Sequence, residues 1–463
     1  MSGSSIKEKA APIFVLAVLA VGAYLPALTQ PFISDDYPNI GLALVYGPIS
    51  GWGAMANDSV QRPRATTFIF SYVIHHLFGP RPAAFYSANI LLHVLNCWLM
   101  FAAGRWKAVG YRTSFWAAAF FAVYEGHSEA IMWFSACNEP LMFFFGFLSF
   151  IFWLVLLERE TARLRWLALS FFFFLLALLS KESAVILVAL FALPLFFPKP
   201  KLRQAPYLLP HILTCVPYVM AIFMSRSHSF RFYDRSFVLS APFWVTWTNS
   251  FGRMLWFWGL LAAASMFLWR RSGREDRGSR IEDRGSRIAS EAHKAIFDLR
   301  SSILNPQSSI FVLSFIWMGI GFIPYTFVDY MHRIPSRQTY LASAGLAWLV
   351  GAAIVIMKER CAKNYKWAPA VILLLILSHN VAYLWTKKRQ QFLERAQPTE
   401  RLLSLARKVD GPIFVKCFPP PLAPLHAEAA LKLILNKPAD TLVWDEEEAK
   451  SKRLGVGQTL FCP

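Results

Sequence analysis

The sequence predicts an all-α polytopic membrane protein with about eleven transmembrane helices, outer-loop or interfacial helices and a small α/β C-terminal appendage. Three observations lead to this fold class. The 463 residues are 56% hydrophobic and only 16% charged, whereas soluble domains usually hold about 25% charged residues. Apolar runs of membrane-spanning length recur between residues 11 and 386. The net charge of +19 is concentrated in alternate loops, which is typical of cytoplasmic loops and not of a nucleic-acid surface.

The apolar runs define the predicted spans, because a helix needs roughly 20 apolar residues to cross a bilayer. We place the spans at 11–29, 83–103, 113–125, 139–157, 165–180, 183–197, 207–224, 251–269, 309–328, 338–357 and 367–386. The stretch 64–78 is apolar but short, and it predicts an interfacial or re-entrant helix.

The distribution of Lys and Arg predicts the orientation. With the N-terminus inside, the inner loops hold 24 of these residues and the outer loops before residue 387 hold nine. Cytoplasmic loops carry an excess of positive charge, so the N-terminus is predicted to be cytoplasmic. The segment "TKKRQQ" after the last span opposes this rule, but long tails translocate largely regardless of charge.

Composition divides the chain into two parts. Residues 1–386 form the predicted transmembrane domain, whose inner loop 270–308 contains the unit "EDRGSRI" twice, at 275–281 and 282–288. This charged, Gly- and Ser-containing loop is predicted to be flexible and cytoplasmic. Residues 387–463 form a small extracytoplasmic domain, in which "GPIFVKCF" and "TLVWDEEEAK" predict strands and "LHAEAALKLIL" predicts a helix.

Several ionisable residues fall on the predicted outer side. They are Asp35, Asp36, Arg62, Arg64, His127, Glu129, Glu139, Lys181, Glu182, Arg333 and Arg337. Ionisable residues at membrane depth tend to line cavities and to pair with one another. The sequence therefore predicts one outward-facing, water-accessible cavity that holds both carboxylates and cations.

This mixture of charges fits transfer of a group from a lipid-linked phosphate. Arg or Lys stabilises the leaving phosphate, and a carboxylate takes the proton of the acceptor hydroxyl. Asp35 and Asp36 could also hold a divalent cation such as Mg²⁺ or Mn²⁺, or one could raise the pKa of the other. Each residue also has a plain structural explanation, since Arg62 can reach headgroups and a lone "DD" is more often solvated charge.

Six motifs, in this order, resemble those of the GT-C membrane glycosyltransferases, in the branch of the protein O-mannosyltransferases and their bacterial relatives. The motifs are "FISDDYPNI", the Arg62–Pro63 pair, "NILLHVLN", "HSEAIMWFSACNEPL", "LLSKESA" and "RQTYLASAG". The chain is most similar to the membrane half of the tetratricopeptide-containing members. It departs from their pattern at Cys137, where they have Arg, and at Gln338, where they have Tyr.

The resemblance implies an inverting hexosyltransferase, with mannose the commonest sugar in the family. It would move a monosaccharide from a polyprenyl-phosphate donor to a hydroxyl of a protein, lipid or polysaccharide outside the cytoplasm. The implied location is a bacterial inner membrane, among membrane lipids, with the active site facing the periplasm or exterior. The resemblance implies that Asp35 or Asp36 is catalytic, with Asp36 slightly favoured. It implies that the donor phosphate is bound by Lys181, Arg337 and Arg62. The residues implied to bind the sugar or the acceptor are His127, Glu129, Glu139, Glu182 and Tyr340.

Two other functions remain open at this point. A flippase or transporter of lipid-linked glycans would also need a charged cavity, although inverted repeats are then expected and none is clear among the spans. An inactive assembly subunit with the same fold is the other alternative. If the chain is such a subunit, substitution of the charged residues in "DD" and "SKE" would not remove any glycan.

Overall fold

The structure is a computed structural model that describes residues 4–58, 60–226, 241–267, 306–327, 333–360, 367–409, 411–415 and 424–445. The tandem repeat at 275–288, and with it most of the predicted flexible loop, lies outside these residues. The described part is almost entirely helical, as the sequence predicts.

The helices follow the apolar runs. The first nine are α1 (Ser4–Tyr24), α2 (Asp36–Tyr46), α3 (Trp52–Asn57), α4 (Ala65–Phe78), α5 (Pro82–Ala102), α6 (Tyr111–Val123), α7 (Ser128–Met132), α8 (Asn138–Glu158) and α9 (Arg163–Leu178). They are followed by α10 (Leu187–Phe196), α11 (Leu209–Arg226), α12 (Phe243–Leu255), α13 (Trp258–Phe267), α14 (Pro306–Phe322), α15 (Ser343–Arg360), α16 (Ala368–Tyr383), α17 (Arg389–Ala406) and α18 (Pro424–Leu435).

Five of the described helical segments are long and apolar enough to cross a membrane. They are Ala10–Thr29, Pro82–Arg105, Phe134–Glu158, Leu202–Ile222 and Ala368–Ala406. Shorter apolar helices occupy Glu182–Phe196, Trp258–Phe267 and Ser309–Tyr325. The membrane fold is therefore confirmed, and the number of eleven spans stays a prediction.

One predicted span has a different form. The run 251–269 was expected to be a single helix, but a turn at Trp256 and Phe257 separates α12 from α13. The helix α12 is amphipathic, with Thr246 and Ser250 buried and Phe243 and Trp244 exposed. These buried polar residues precede the predicted start of the span at residue 251, so α12 begins earlier than predicted, at Phe243, and ends at Leu255.

The bundle is built around α15, which packs against α6 on one side and α14 on the other. Glycine residues of α15 allow both neighbouring helices to approach it closely. A Cβ atom at Gly351 would lie 2.5 Å from the carbonyl oxygen of Thr113 in α6, and one at Gly345 would lie 2.6 Å from that of Ser314 in α14. Small residues at such positions let membrane helices pack backbone to backbone.

The C-terminal part begins as an extension of the last membrane helix. The helices α16 and α17 are joined by a π-helical turn at Leu384–Lys388 into one segment of 39 residues, so the predicted domain boundary at 386/387 falls inside it. Beyond it, β1 (Ile413–Phe414) pairs in parallel with β2 (Leu442–Val443), and α18 lies between them in sequence. The predicted α/β character of this part is thus confirmed, and α18 packs on both α17 and α2.

We expect Gly351→Ala to lower the stability of the bundle by about 1–3 kcal/mol, the usual cost of overpacking. The added methyl group would meet the α6 backbone. The measurement is the melting temperature of the purified protein in detergent. Gly252→Ala is the matched control, because a Cβ there meets nothing within 4 Å, and Ala stabilises a helix by roughly 0.5–1 kcal/mol over Gly. A Gly351→Ala protein that melts with the wild type would contradict the close packing of α6 and α15.

Candidate active site

The second acid of the pair, Asp36, is fully buried at the start of α2. Its Oδ1 accepts hydrogen bonds from the backbone N–H of Ser135 at 2.7 Å and from the Ser135 hydroxyl at 2.8 Å. Its Oδ2 accepts from the N–H of Ile33 at 2.9 Å and from the hydroxyl of Tyr86 at 3.3 Å. Burial raises the pKa of Asp36 to about 7, although the hydrogen bonds from Ile33 and Ser135 act in the opposite direction.

The first acid, Asp35, is in a different environment. It precedes α2, and 46% of its side-chain surface is exposed. Its Oδ1 lies 2.7 Å from Nε2 of His426 in α18. The preceding residue, Ser34, has a φ of 44°, a conformation that few residues other than Gly adopt. The two acids are therefore distinct, since Asp36 is enclosed by donors and Asp35 is open to solvent.

Arg337 is tied to the same loop through Trp133. The indole N–H of Trp133 donates to the carbonyl oxygen of Ile33 at 3.3 Å. The guanidinium of Arg337 lies over the Trp133 ring, 4.9 Å from its centroid, which is within cation–π range. None of the ion pairs between described residues involves this guanidinium. Arg337 thus offers a positive charge close to the acid loop.

Glu129 holds the backbone of Arg337 in place. Its Oε2 accepts a hydrogen bond from the N–H of Arg337 at 3.3 Å. Burial would raise the pKa of Glu129, but Ser336 and the charge of Arg337 hold it below its usual range. The charge of Arg395 in α17 acts in the same direction. Glu129 is therefore an ionised carboxylate at neutral pH, close to these two arginines.

Lys181 and Glu139 form a buried ion pair. The ammonium of Lys181 donates to Oε1 of Glu139, and it also lies 5.4 Å from the centroid of the Tyr325 ring. Both charged residues are buried, and Oε2 of Glu139 has no hydrogen-bond partner among the described residues. Burial lowers the pKa of Lys181, and the charge of Glu139 offsets this only in part. The pair joins α8 to the turn after α9.

Two further predicted residues lie at partly exposed positions. The guanidinium of Arg62 donates to the carbonyl oxygen of Ala221 in α11 at 3.2 Å. Glu182 forms an ion pair with Arg64 at 3.5 Å. The ion pair between Arg64 and Glu182 therefore brings the motifs "RPR" and "SKE" together.

His127 and Tyr340 lie in the packed interior of the bundle. Both are fully buried. Nε2 of His127 lies 2.7 Å from the hydroxyl of Ser343, and the Tyr340 hydroxyl lies 2.7 Å from Nδ1 of His93. These contacts connect the second outer loop and α5 to the start of α15. Their implied role in sugar or acceptor binding stays a prediction.

The described residues do not assemble a site for Mg²⁺ or Mn²⁺. Both oxygens of Asp36 already accept hydrogen bonds from protein donors, and Asp35 is paired with an imidazole. No group of three His, Cys, Asp or Glu side chains in the described part could hold a metal ion, whereas Mg²⁺ requires near-octahedral oxygen coordination. We therefore derive no step through a metal.

Sequence reasoning missed the partners of both acids. His426 is 391 positions from Asp35 in sequence, and no pattern in the tail marks it. Ser135 lies within a quoted motif, but its type gives no sign of a role. A cavity of about 580 Å³ was also not foreseen; it lies between Tyr111 of α6 and Lys358 of α15, on the predicted inner side, and no predicted site residue lines it.

Comparison with known proteins shows the fold. No protein-family model matches the chain, and no curated protein matches its sequence. The chain is similar to the archaeal oligosaccharyltransferase AglB from Archaeoglobus fulgidus in complex with an inhibitory peptide and a dolichol-phosphate, with a TM-score of 0.53 and 10% identity, over 97% of this chain and 65% of that one. It is also similar to ArnT from Cupriavidus metallidurans in the apo state, with a TM-score of 0.50 and 14% identity, over 98% of this chain and 89% of that one. The chain thus spans about two thirds of the length of the archaeal enzyme.

We expect the titration of Asp36 to lower the stability of the wild type as pH rises from about 4 to about 7. In this window the folded protein keeps a proton on Asp36 that the unfolded chain, with a pKa of 3.8, has released. One such proton changes the free energy of unfolding by about 1.4 kcal/mol per pH unit. The measurement is the melting temperature in detergent between pH 4 and pH 8.

Asp36→Asn should remove this contribution to the slope. The difference between this variant and the wild type isolates Asp36 from all other titrating groups. Equal slopes for Asp36→Asn and the wild type would show that Asp36 does not carry the proton.

We expect Lys181→Met to destabilise the protein by about 3–5 kcal/mol, because it leaves the buried Glu139 charge without a partner. Glu139→Gln alone should also destabilise it. The double variant should recover much of the loss, since a buried ion pair replaced as a unit is often nearly neutral. Melting temperatures of the three variants form a double-mutant cycle, and strictly additive losses would contradict the pairing.

Proposed function

We propose that the chain, which shares its fold with the AglB and ArnT structures, is a GT-C membrane enzyme, an inverting, polyprenyl-phosphate-sugar-dependent glycosyltransferase. It would move a monosaccharide to an acceptor hydroxyl on the extracytoplasmic face of a membrane. The observation that carries the proposal is the open carboxylate of Asp35, held one residue before a fully enclosed acid, on a loop to which the cation Arg337 is connected through Trp133.

In this mechanism Asp35 is the general base. Its carboxylate takes the proton of the acceptor hydroxyl while that oxygen attacks the anomeric carbon of the donor. The new C–O bond forms as the bond from the anomeric carbon to the phosphate oxygen breaks, and the electron pair leaves with the phosphate. A single displacement inverts the anomeric configuration. Asp36 has no exposed surface, so in this proposal it fixes the loop and does not touch the acceptor.

Arg337 is the proposed partner of the donor phosphate. Its guanidinium is planar, permanently charged and suited to two parallel hydrogen bonds to phosphate oxygens. The Trp133 ring beneath it and the Glu129 contact to its backbone fix its place before the donor arrives. Such preorganised charge stabilises the leaving group most where water is excluded.

The other predicted cations act less directly. Lys181 is already paired with Glu139, so its charge would act on the donor at longer range. Arg62 donates to the carbonyl of Ala221, and Glu182 is paired with Arg64. A polyprenyl-phosphate ligand is supported by the dolichol-phosphate in the similar archaeal structure. A hexose, and mannose in particular, follows only from the sequence resemblance.

We expect Asp35→Asn to reduce glycan formation by about 10²–10⁴-fold, the usual contribution of a positioned base. The measurement is the mass of glycans on the lipids, polysaccharides and proteins of the envelope. It is made in a deletion strain complemented with wild type, Asp35→Asn or Asp440→Asn. Asp440 is an exposed acid in the C-terminal part and serves as the matched control.

Equal abundance of each variant in the membrane must be verified first. Loss of one sugar that wild type and Asp440→Asn restore would support the enzyme and identify its acceptor. If Asp35→Asn restores every glycan at the wild-type rate, Asp35 is not the base, and the transporter or assembly-subunit alternatives gain support.

A further inference from the structure

The C-terminal part reaches the proposed base directly. Nε2 of His426 lies 2.7 Å from Oδ1 of Asp35. A carboxylate oxygen accepts hydrogen bonds, and an imidazole N–H is the matching donor for this contact. No other hydrogen bond between described side chains joins α18 to the acid loop.

The imidazole is held from behind by the packing of the tail. Ala427, Ala430 and Leu431 of α18 are buried, and the helix packs against α2. The hydroxyl of Tyr37, the residue after Asp36, donates to Oε1 of Glu400 in α17 at 3.3 Å. Two helices of the C-terminal part, α17 and α18, are therefore held against the first turn of α2.

The exposures of the two side chains show which one covers the other. Only 12% of the His426 side chain is exposed, whereas 46% of the Asp35 side chain remains exposed with the contact in place. The imidazole thus supports one carboxylate oxygen and leaves the other side of Asp35 open. A contact that shut the site would bury Asp35 as well.

We propose that His426 is a positioning residue of the active site, which holds Oδ1 of Asp35 so that Oδ2 is directed at the acceptor hydroxyl. This inference rests on the proposed function, because Asp35 must be the base. A carboxylate at an exposed loop position otherwise samples several rotamers. A base held in one geometry reacts faster, since a misplacement of about 1 Å can cost on the order of 10²-fold. The C-terminal part then belongs to the catalytic unit.

The test compares two substitutions of similar size at one position. His426→Leu fills the same space without a donor, and His426→Gln keeps an amide N–H that can reach Oδ1. We expect His426→Leu to slow glycan formation by about 10-fold to 100-fold, and His426→Gln to recover most of that loss. Lys432→Ala, an exposed residue of the same helix, should match the wild type. The rate is that of glycan appearance after induction in the complemented deletion strain, at equal membrane abundance.

The outcomes separate this inference from the proposed function. If Asp35→Asn is inactive and His426→Leu is as fast as the wild type, the positioning role is overturned and the proposed base stands. A His426→Leu rate above the wild type would overturn it in favour of a shielding contact. Equal loss in the Leu and Gln variants would show that the shape of the residue matters and its hydrogen bond does not. Full activity of Asp35→Asn would overturn both proposals.

Discussion

The rest of the site depends on the enclosure of one carboxylate. An acid with no exposed surface is costly to bury unless donors surround it, and Asp36 is surrounded by four hydrogen bonds from three residues. Those donors come from its own loop, from α5 and from the segment before α8, so the carboxylate joins parts of the chain that are about 50 and 99 positions away. Because the first turn of α2 is held in this way, the preceding residue, Asp35, has a defined place at the edge of the bundle.

The sequence predicted the membrane fold and the residues of the acid loop, and it could not predict the difference between the two acids. Apolar runs and loop charges extend over many residues, so they can be recognised as patterns in the sequence. The environment of Asp36 depends instead on single donors, such as Ser135, that tertiary packing brings to it. The break between α12 and α13 was missed because neither Trp256 nor Phe257 is a residue type that marks a turn. His426 was missed because nothing local marks a residue that acts across 391 positions.

Several residues of the resembling motifs prove to join helices. Asn89 donates to the carbonyl oxygens of Ala130 and Ile131, and Asn96 donates to that of Pro140. Interhelical hydrogen bonds of this kind replace the hydrophobic driving force that is weak between helices in lipid. A match to a family motif therefore identifies the scaffold as readily as the reacting groups. In this chain burial separates the asparagines, which are fully buried, from the proposed reacting groups Asp35 and Arg337, which are partly exposed.

The unbroken helix that joins the membrane to the C-terminal part also has a mechanical consequence. At 1.5 Å per residue, its 39 residues give a rod of about 58 Å, nearly twice the ~30 Å hydrocarbon thickness of a bilayer. One end is set by lipid, and the other carries Glu400, which contacts the residue after the paired acids. A bilayer that is too thick or too thin for the embedded half is accommodated by tilt or by kinking. The π-helical turn and Pro398 are the points where this segment would bend, so the tilt of the embedded half reaches the acid loop only through these two points.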